Sequence, residues 1–150
     1  MFKNMKKNKG FTLIEILVVI GIIAILATIV IIAINPARQF AQTRNTQRTS
    51  HVSSILNAIG QNIADNKGLF SCADQPTASS TNITSSGGKN LMPCLVPTYI
   101  SQVLFDPQTG FGTTTSSYDT RYAVSKDTTT GRIIVQALDA ELGQTISITR

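Results

Sequence analysis

The hydrophobic and polar positions divide this 150-residue chain into an apolar segment near its start and a polar remainder. Only a few residues interrupt the apolar run from Phe11 to Ile34, namely Thr12, Glu15, Gly21 and Thr28. The uncharged part, residues 16–34, would span about 28 Å as a helix, close to the ~30 Å hydrocarbon core of a bilayer. The pattern predicts a transmembrane helix within residues 11–35.

A second helical pattern follows over residues 36–67. Pro36 predicts a kink or a short unwound stretch over residues 34–38, because proline lacks an N–H and clashes with the preceding turn. Beyond it, apolar residues recur at three- and four-residue steps: Val52, Ile55, Leu56, Ile59 and Ile63. We expect this apolar stripe to pack on a sheet and the helix to end at Gly68 with positive φ.

The segment before the stripe is polar. Residues 42–50 contain no apolar side chain, so we expect an exposed polar neck in the isolated chain. The long helix as a whole thus has an apolar half, a polar neck and an amphipathic end.

Residues 68–150 are expected to form a globular head. Residues 68–98 are rich in Ser, Thr, Asn and Gly and predict a variable loop, in which the sequon-like triplet at 82–84 has no special role. Three short segments, 121–126, 132–138 and 145–149, predict a three-stranded antiparallel meander, with Gly131 ending a hairpin loop. The expected fold class is α+β, with a long N-terminal helix packed on a small antiparallel sheet.

Charge is concentrated at the start of the chain. The formal net charge falls from +5 to +1 when residues 1–10 are removed, because they contain four lysines. A nearly neutral remainder argues against nonspecific nucleic-acid binding, so no nucleic-acid partner is expected. The lysines favour a cytoplasmic N-terminus and export of the rest of the chain. Three later arginines weaken this asymmetry: Arg38, Arg44 and Arg48.

Two cysteines lie in the part that we expect to be exported. Cys72 and Cys94 do not have the paired short spacing of a zinc site. In an oxidising compartment an even cysteine count predicts a disulfide, and two unpaired thiols are the alternative.

Arrangements that would support catalysis are missing from the sequence. His51 is the one histidine and is expected to be a surface or packing residue. Asp106, Asp119 and Asp127 do not have the spacing of an EF-hand loop and are interpreted as turn formers. We therefore expect no enzyme activity, catalytic residue, cofactor or metal site.

Glu15 needs an explanation, since a carboxylate in hydrocarbon costs roughly 2.5–3.5 kcal/mol. The segment KGFTLIE, residues 9–15, followed by a long aliphatic run, closely resembles the class III signal of bacterial type IV pilins and type II secretion pseudopilins. The resemblance covers residues 1 to about 35, and beyond them it extends only to architecture. Many family members carry a proline within the apolar run, whereas Pro36 lies at its far end, which leaves the position of any helix melting open.

The resemblance implies a processing and assembly route. A prepilin peptidase would remove the leader, residues 1–10, by cutting between Gly10 and Phe11, and would methylate the new amine of Phe11. In a filament, Glu15 would pair with the Phe11 amine of the adjacent subunit. The implied partners are this peptidase, membrane lipid before assembly, identical or related subunits, and an inner-membrane assembly platform. The chain would cross the inner membrane once before entering an extracellular or periplasmic filament.

Several functions are compatible with this signature. The Ser/Thr/Gly-rich loop and the cysteine pair favour a pilus subunit, and a minor pilin at the filament tip has the same features. The turn sequence DPQTG, residues 106–110, also occurs in type II secretion pseudopilins, which share the assembly chemistry. A single-span anchored extracytoplasmic binding module that never polymerises is the alternative from another class.

Overall fold

The computed structural model describes residues 10–150. It divides into two compact units, the first ending at Gln39 and the second running Phe40–Arg150. We call this second unit the head from here on, and it begins earlier than the head expected over residues 68–150. The four lysines of the expected leader lie outside the described residues.

The first helix, α1, runs Leu13–Ile34 and is apolar on every side. None of its side chains is buried, and its length and composition are sufficient to cross a membrane. Its one mid-helix hydroxyl, on Thr28, donates a 2.9 Å hydrogen bond to the carbonyl oxygen of Ala24. A helix with this surface needs lipid or other apolar helices around it.

A single residue separates α1 from α2, which runs Pro36–Asp65. Asn35 has φ 47°, a left-handed conformation that asparagine tolerates, and its side-chain oxygen accepts a 3.3 Å bond from the backbone N–H of Arg38. Pro36 then takes the first helical position, where its missing N–H costs nothing. The helix is therefore interrupted next to Pro36 as expected, but only at the single residue Asn35 rather than over residues 34–38.

The apolar stripe of α2 packs into the core of the head. Val52, Ile55 and Ile59 are fully buried. The helix ends as the sequence predicts, because Gly68 has φ 88° and its N–H donates to the carbonyl oxygen of Ile63 at 2.9 Å.

The α+β, pilin-like fold class is confirmed, but the expected three-stranded sheet is wrong because residues 10–150 contain five strands. The strands are β1 (Thr81–Thr84), β2 (Phe111–Thr114), β3 (Ser117–Lys126), β4 (Ile133–Ala137) and β5 (Ile146–Thr149). All pairs are antiparallel, in the order β1-β3-β4-β5, with β2 also paired to β3. A short helix, α3 (Met92–Leu95), and β1 lie inside the segment expected to be loop.

The disulfide between Cys72 and Cys94 is present, with a Cα–Cα distance of 5.6 Å, and the sequence prediction is confirmed. It joins the segment that follows α2 to α3. One of the two bridged residues, Cys72, packs against the buried hydrophobic cluster. The crosslink thus fastens a region with little regular structure to the core of the head.

Removing this crosslink should destabilise the head. We expect a Cys72→Ser/Cys94→Ser variant to lose about 3 kcal/mol of unfolding free energy, because the unfolded chain regains the entropy of a closed loop. Near-UV circular dichroism of the tyrosines during denaturation of the full chain in detergent measures the loss. Chemically reduced wild-type protein should show the same shift, and unchanged stability in both samples would contradict the expectation.

Candidate processing and assembly site

The start of α1 is built around a capping box formed by Thr12 and Glu15. One carboxylate oxygen of Glu15 accepts hydrogen bonds from the Thr12 N–H and hydroxyl, both at 2.8 Å. The Glu15 N–H donates to the Thr12 hydroxyl oxygen at 3.3 Å. Two N–H groups that would otherwise lack partners are satisfied in this way. The T-x-x-E spacing of Thr12 and Glu15 is the sequence signal of this capping box.

The three residues expected to act in processing and assembly lie together at this exposed end. Phe11 is 84% exposed, and Gly10 and Glu15 are also exposed. No described atom lies within 4 Å of where a Cβ on Gly10 would stand, so the local structure does not itself require glycine there. The whole segment is open to an external enzyme or to another chain.

The comparison with known families decides what this segment is. Residues 5–31 match the family model of the prokaryotic N-terminal methylation motif. The chain therefore carries the class III prepilin signal of type IV pilins and pseudopilins. No curated protein and no solved structure matches the chain.

The methylation motif contains Gly10, Phe11 and Glu15 and ends within α1. It is the signal of structural pilin-type subunits, and it implies processing by a prepilin peptidase and contact with pilin assembly machinery in general. Together with the apolar α1, it fits anchoring in a membrane. The head, residues 40–150, lies beyond the matched span.

The expected exposed neck is wrong on one face of residues 42–50, where Asn45 and Arg48 are buried, whereas the other side chains of this segment are exposed or half-buried. Arg48 is completely buried, and it donates to Asp106 at 2.6 and 3.2 Å and to Glu141 at 2.6 Å. Arg44 donates to both carboxylate oxygens of Glu141, at 2.7 and 2.6 Å, and Asn45 bonds the Glu141 backbone. Polar side chains thus continue the buried face of α2, which a search for apolar periodicity does not detect. We call these five residues the arginine cluster.

The arginine cluster holds both carboxylates in their charged form. Burial raises the pKa of Asp106, but hydrogen bonds from Arg48 and from the N–H groups of Gln108 and Thr109 outweigh it, and the pKa is lowered. Bonds from Arg44, and then from Arg48, lower the pKa of Glu141 to about 2. The bonds from Gln108 and Thr109 also confirm Asp106 as a turn former, whereas the same expectation for Asp119 is wrong because that residue lies in β3.

Acid should therefore weaken the head. Both carboxylates have a folded-state pKa below the unfolded value, so the stabilisation from each is present above its unfolded pKa and is lost in acid. For Glu141 this loss occurs as the pH falls from 4.5 towards about 2. We expect the Tm of the full chain in detergent to fall across this interval. A Glu141→Gln variant should have a lower Tm at neutral pH and a shallower fall in acid. Equal dependence of Tm on pH for the wild-type chain and Glu141→Gln would contradict the contribution of the Glu141 carboxylate to the loss of stability in acid.

The lone histidine is a packing residue, as expected. His51 is half-buried, and its Nδ1 lies 3.1 Å from the carbonyl oxygen of Phe105 and 3.0 Å from the hydroxyl oxygen of Tyr122. Burial lowers the pKa of His51, and the bond to Phe105 opposes this shift. Within residues 10–150, no group of three His, Cys, Asp or Glu side chains could hold a metal ion.

Proposed function

We propose that this chain is a structural subunit of a type IV pilus-like filament, made as a membrane-inserted precursor. One observation carries the proposal: the methylation motif leads directly into an apolar 22-residue helix with no buried side chain. Such a helix is accommodated first by lipid and then by the same helix of other subunits. A type II secretion pseudopilin would use the same assembly chemistry.

Maturation removes residues 1–10. The peptidase cuts between Gly10 and Phe11 on the cytoplasmic side, where the lysines of the leader keep the N-terminus. The enzyme then methylates the new amine of Phe11. The exposure of this segment supports access by such an enzyme.

Cleavage also creates the partner for Glu15. In the described chain, Thr12 supplies the hydrogen bonds to the Glu15 carboxylate, and that residue brings no positive charge. The new amine of Phe11 is cationic, and in a filament it meets the Glu15 of the adjacent subunit. A buried carboxylate with a cationic partner costs much less than one alone, so the pair selects the correct register of neighbouring helices.

Cross-linking of membrane fractions tests the proposal. A filament subunit gives a ladder of multimers of this chain, assembled with the inner-membrane platform and without nucleic acid. A single-span anchored binding module gives only the monomer, and that result would overturn the proposal.

Substitution at Gly10 should block maturation. We expect Gly10→Ala to slow removal of the leader and Gly10→Phe to prevent it, because a side chain beside the scissile bond obstructs the peptidase. The open surroundings of Gly10 mean that the substitution leaves the fold unchanged. Intact-mass measurement of the membrane-bound chain reports whether residues 1–10 remain.

The matched control is Gly21→Ala, which lies within α1 and also has open surroundings. Alanine is favoured over glycine in a helix by about 1 kcal/mol, so this variant should be processed normally. Normal processing of Gly10→Phe would contradict the assigned cleavage position.

A further inference from the structure

We propose that a groove between α2 and β4 binds the alkyl chain of a fatty acid, and that Arg150, at the edge of this groove, binds the fatty-acid carboxylate. The inference goes beyond the proposed function, because it concerns the head alone and does not depend on filament assembly.

The α2 groove, as we call it, lies beside the C-terminal part of α2 and has a volume of about 200 Å³. Four aliphatic side chains, one glycine and one arginine line it: Leu56, Ile59, Gly60, Ile63, Ile133 and Arg150. Leu56, Ile59 and Ile133 belong to the hydrophobic core, whereas Ile63 is half-buried, so the groove connects the core with the surface. An apolar cavity of about 150 Å³ holds benzene, and pockets for drug-sized ligands begin at about 300 Å³, so this groove fits part of a single alkyl chain.

Gly60 keeps the α2 groove open. It lies in the interior of α2, where glycine is the least favourable residue apart from proline. The surroundings do not require glycine, because the nearest atom outside the backbone of the helix, Cδ of Arg150, is 4.0 Å from where a Cβ would stand. Protein cores are close-packed and rarely retain such space, so the missing side chain indicates room for the chain of a ligand.

Arg150 brings a positive charge to the edge of the α2 groove. Its backbone N–H and carbonyl oxygen both pair with Ile133, at 2.9 and 2.8 Å, which fixes the residue beside β4. Its Nη1 donates to the side-chain oxygen of Asn57 at 2.5 Å, and this partner is neutral. Within residues 10–150, no carboxylate side chain forms an ion pair with Arg150. The other N–H donors of the guanidinium are therefore available to the carboxylate of a ligand.

The apolar lining and the charge together favour a fatty acid as the occupant. An aliphatic side chain of another protein would leave the guanidinium of Arg150 without a carboxylate. A phospholipid would bring a second alkyl chain, for which a groove of about 200 Å³ has no room. A fatty acid supplies one alkyl chain and one carboxylate, and a guanidinium can bind a carboxylate through two parallel N–H bonds.

Photo-crosslinking to a fatty acid tests this site. The full chain is reconstituted in phosphatidylcholine vesicles and irradiated with palmitic acid that carries a diazirine at its methyl end, and tryptic peptides are analysed by mass spectrometry. Residues 49–67 and 133–150 form the two peptides that contain the lining of the α2 groove. We expect adducts on these two peptides. Adducts on the peptide that contains α1 serve as the internal reference for labelling by probe dissolved in the lipid.

Filling the α2 groove should remove the adducts on the head. We expect Gly60→Ala to lower this labelling, and Gly60→Leu to lower it roughly tenfold or more relative to the α1 peptide, because the added side chain occupies the space of the alkyl chain. Alanine and leucine both favour a helix more than glycine does, so the Tm of these variants should be equal or higher. Gly60→Ala keeps the test valid if leucine lowers the Tm, since a Cβ at this position has free space.

Arg150→Gln tests the contact with the carboxylate. The variant removes the positive charge, and we expect labelling of the head by the fatty acid to fall roughly threefold or more. The matched control is Arg132→Gln, at an exposed arginine that does not line the groove, and it should be labelled like the wild type. The methyl ester of the probe has no charge, so it should label the wild-type head less than the acid does.

Three results would overturn the inference: no adduct on the head of the wild-type chain, unchanged labelling of the head in both Gly60 variants, or equal labelling of the head by the acid and its methyl ester. None of these results concerns filament assembly, so the proposed function would stand. A chain that gives no multimers on cross-linking of membrane fractions would overturn the proposed function alone.

Discussion

Replacing Glu15 by glutamine should abolish filament assembly while leaving membrane insertion and leader removal intact. Glutamine can replace glutamate in a capping box, so the start of α1 keeps its local structure. In the proposed assembly, the charge that would neutralise the Phe11 amine of the neighbouring subunit is lost, and that amine would be buried without a counter-ion. We expect the protein recovered by shearing to fall by at least roughly tenfold, since unpaired burial of a charge costs several kcal/mol.

The matched control separates the charge of Glu15 from its capping role. Thr12→Val removes the hydroxyl of the capping box but retains the carboxylate. Loss of an N-cap costs about 1 kcal/mol, so this variant should still assemble. Normal filaments from Glu15→Gln, together with defective filaments from Thr12→Val, would show that Glu15 acts in capping α1 and that its charge is not needed for assembly.

Replacing Arg48 by alanine should destabilise the head by about 3–5 kcal/mol. The side chains of Arg48 and Asp106 are both 0% exposed, so the variant leaves a buried carboxylate without its cation. Glu141 retains Arg44 as a partner, and Asp106 therefore dominates the loss. Chemical denaturation of the full chain in detergent, followed through the near-UV signal of the buried tyrosines Tyr118 and Tyr122, measures it.

Two further variants test this explanation. Arg121→Ala breaks a pair whose side chains are 37% and 25% exposed, and should cost only about 0–1 kcal/mol. Arg48→Met/Asp106→Leu removes both charges and should recover most of the stability lost by Arg48→Ala. Equal losses for Arg48→Ala and Arg121→Ala would contradict the role of burial.

The helices and their ends could be predicted because they depend on local patterns. The stripe from Val52 to Ile63 has helical periodicity, and Gly68 permits the positive φ that ends α2. Strands β1 and β2 were missed because each has four mostly polar or small residues without clear alternation. Their pairing with β3 is decided by tertiary contacts.

The processing segment, residues 10–15, could be predicted from the sequence, whereas the arginine cluster could not. Gly10, Phe11 and Glu15 form a linear motif, so their proximity needs no folding argument. Arg48 and Asp106 are 58 residues apart, and a sequence of polar residues on α2 is by itself compatible with an exposed surface. Only the folded head brings the buried carboxylate to the arginine.

The intact mass of the chain in sheared surface filaments tests the central claim most directly. We expect a polypeptide that begins at Phe11 and carries one added methyl group, because the proposed assembly uses the amine at this position as the partner of Glu15. A filament subunit that still contains residues 1–10 would have no such amine, and this result would contradict assembly through the Glu15–Phe11 pair.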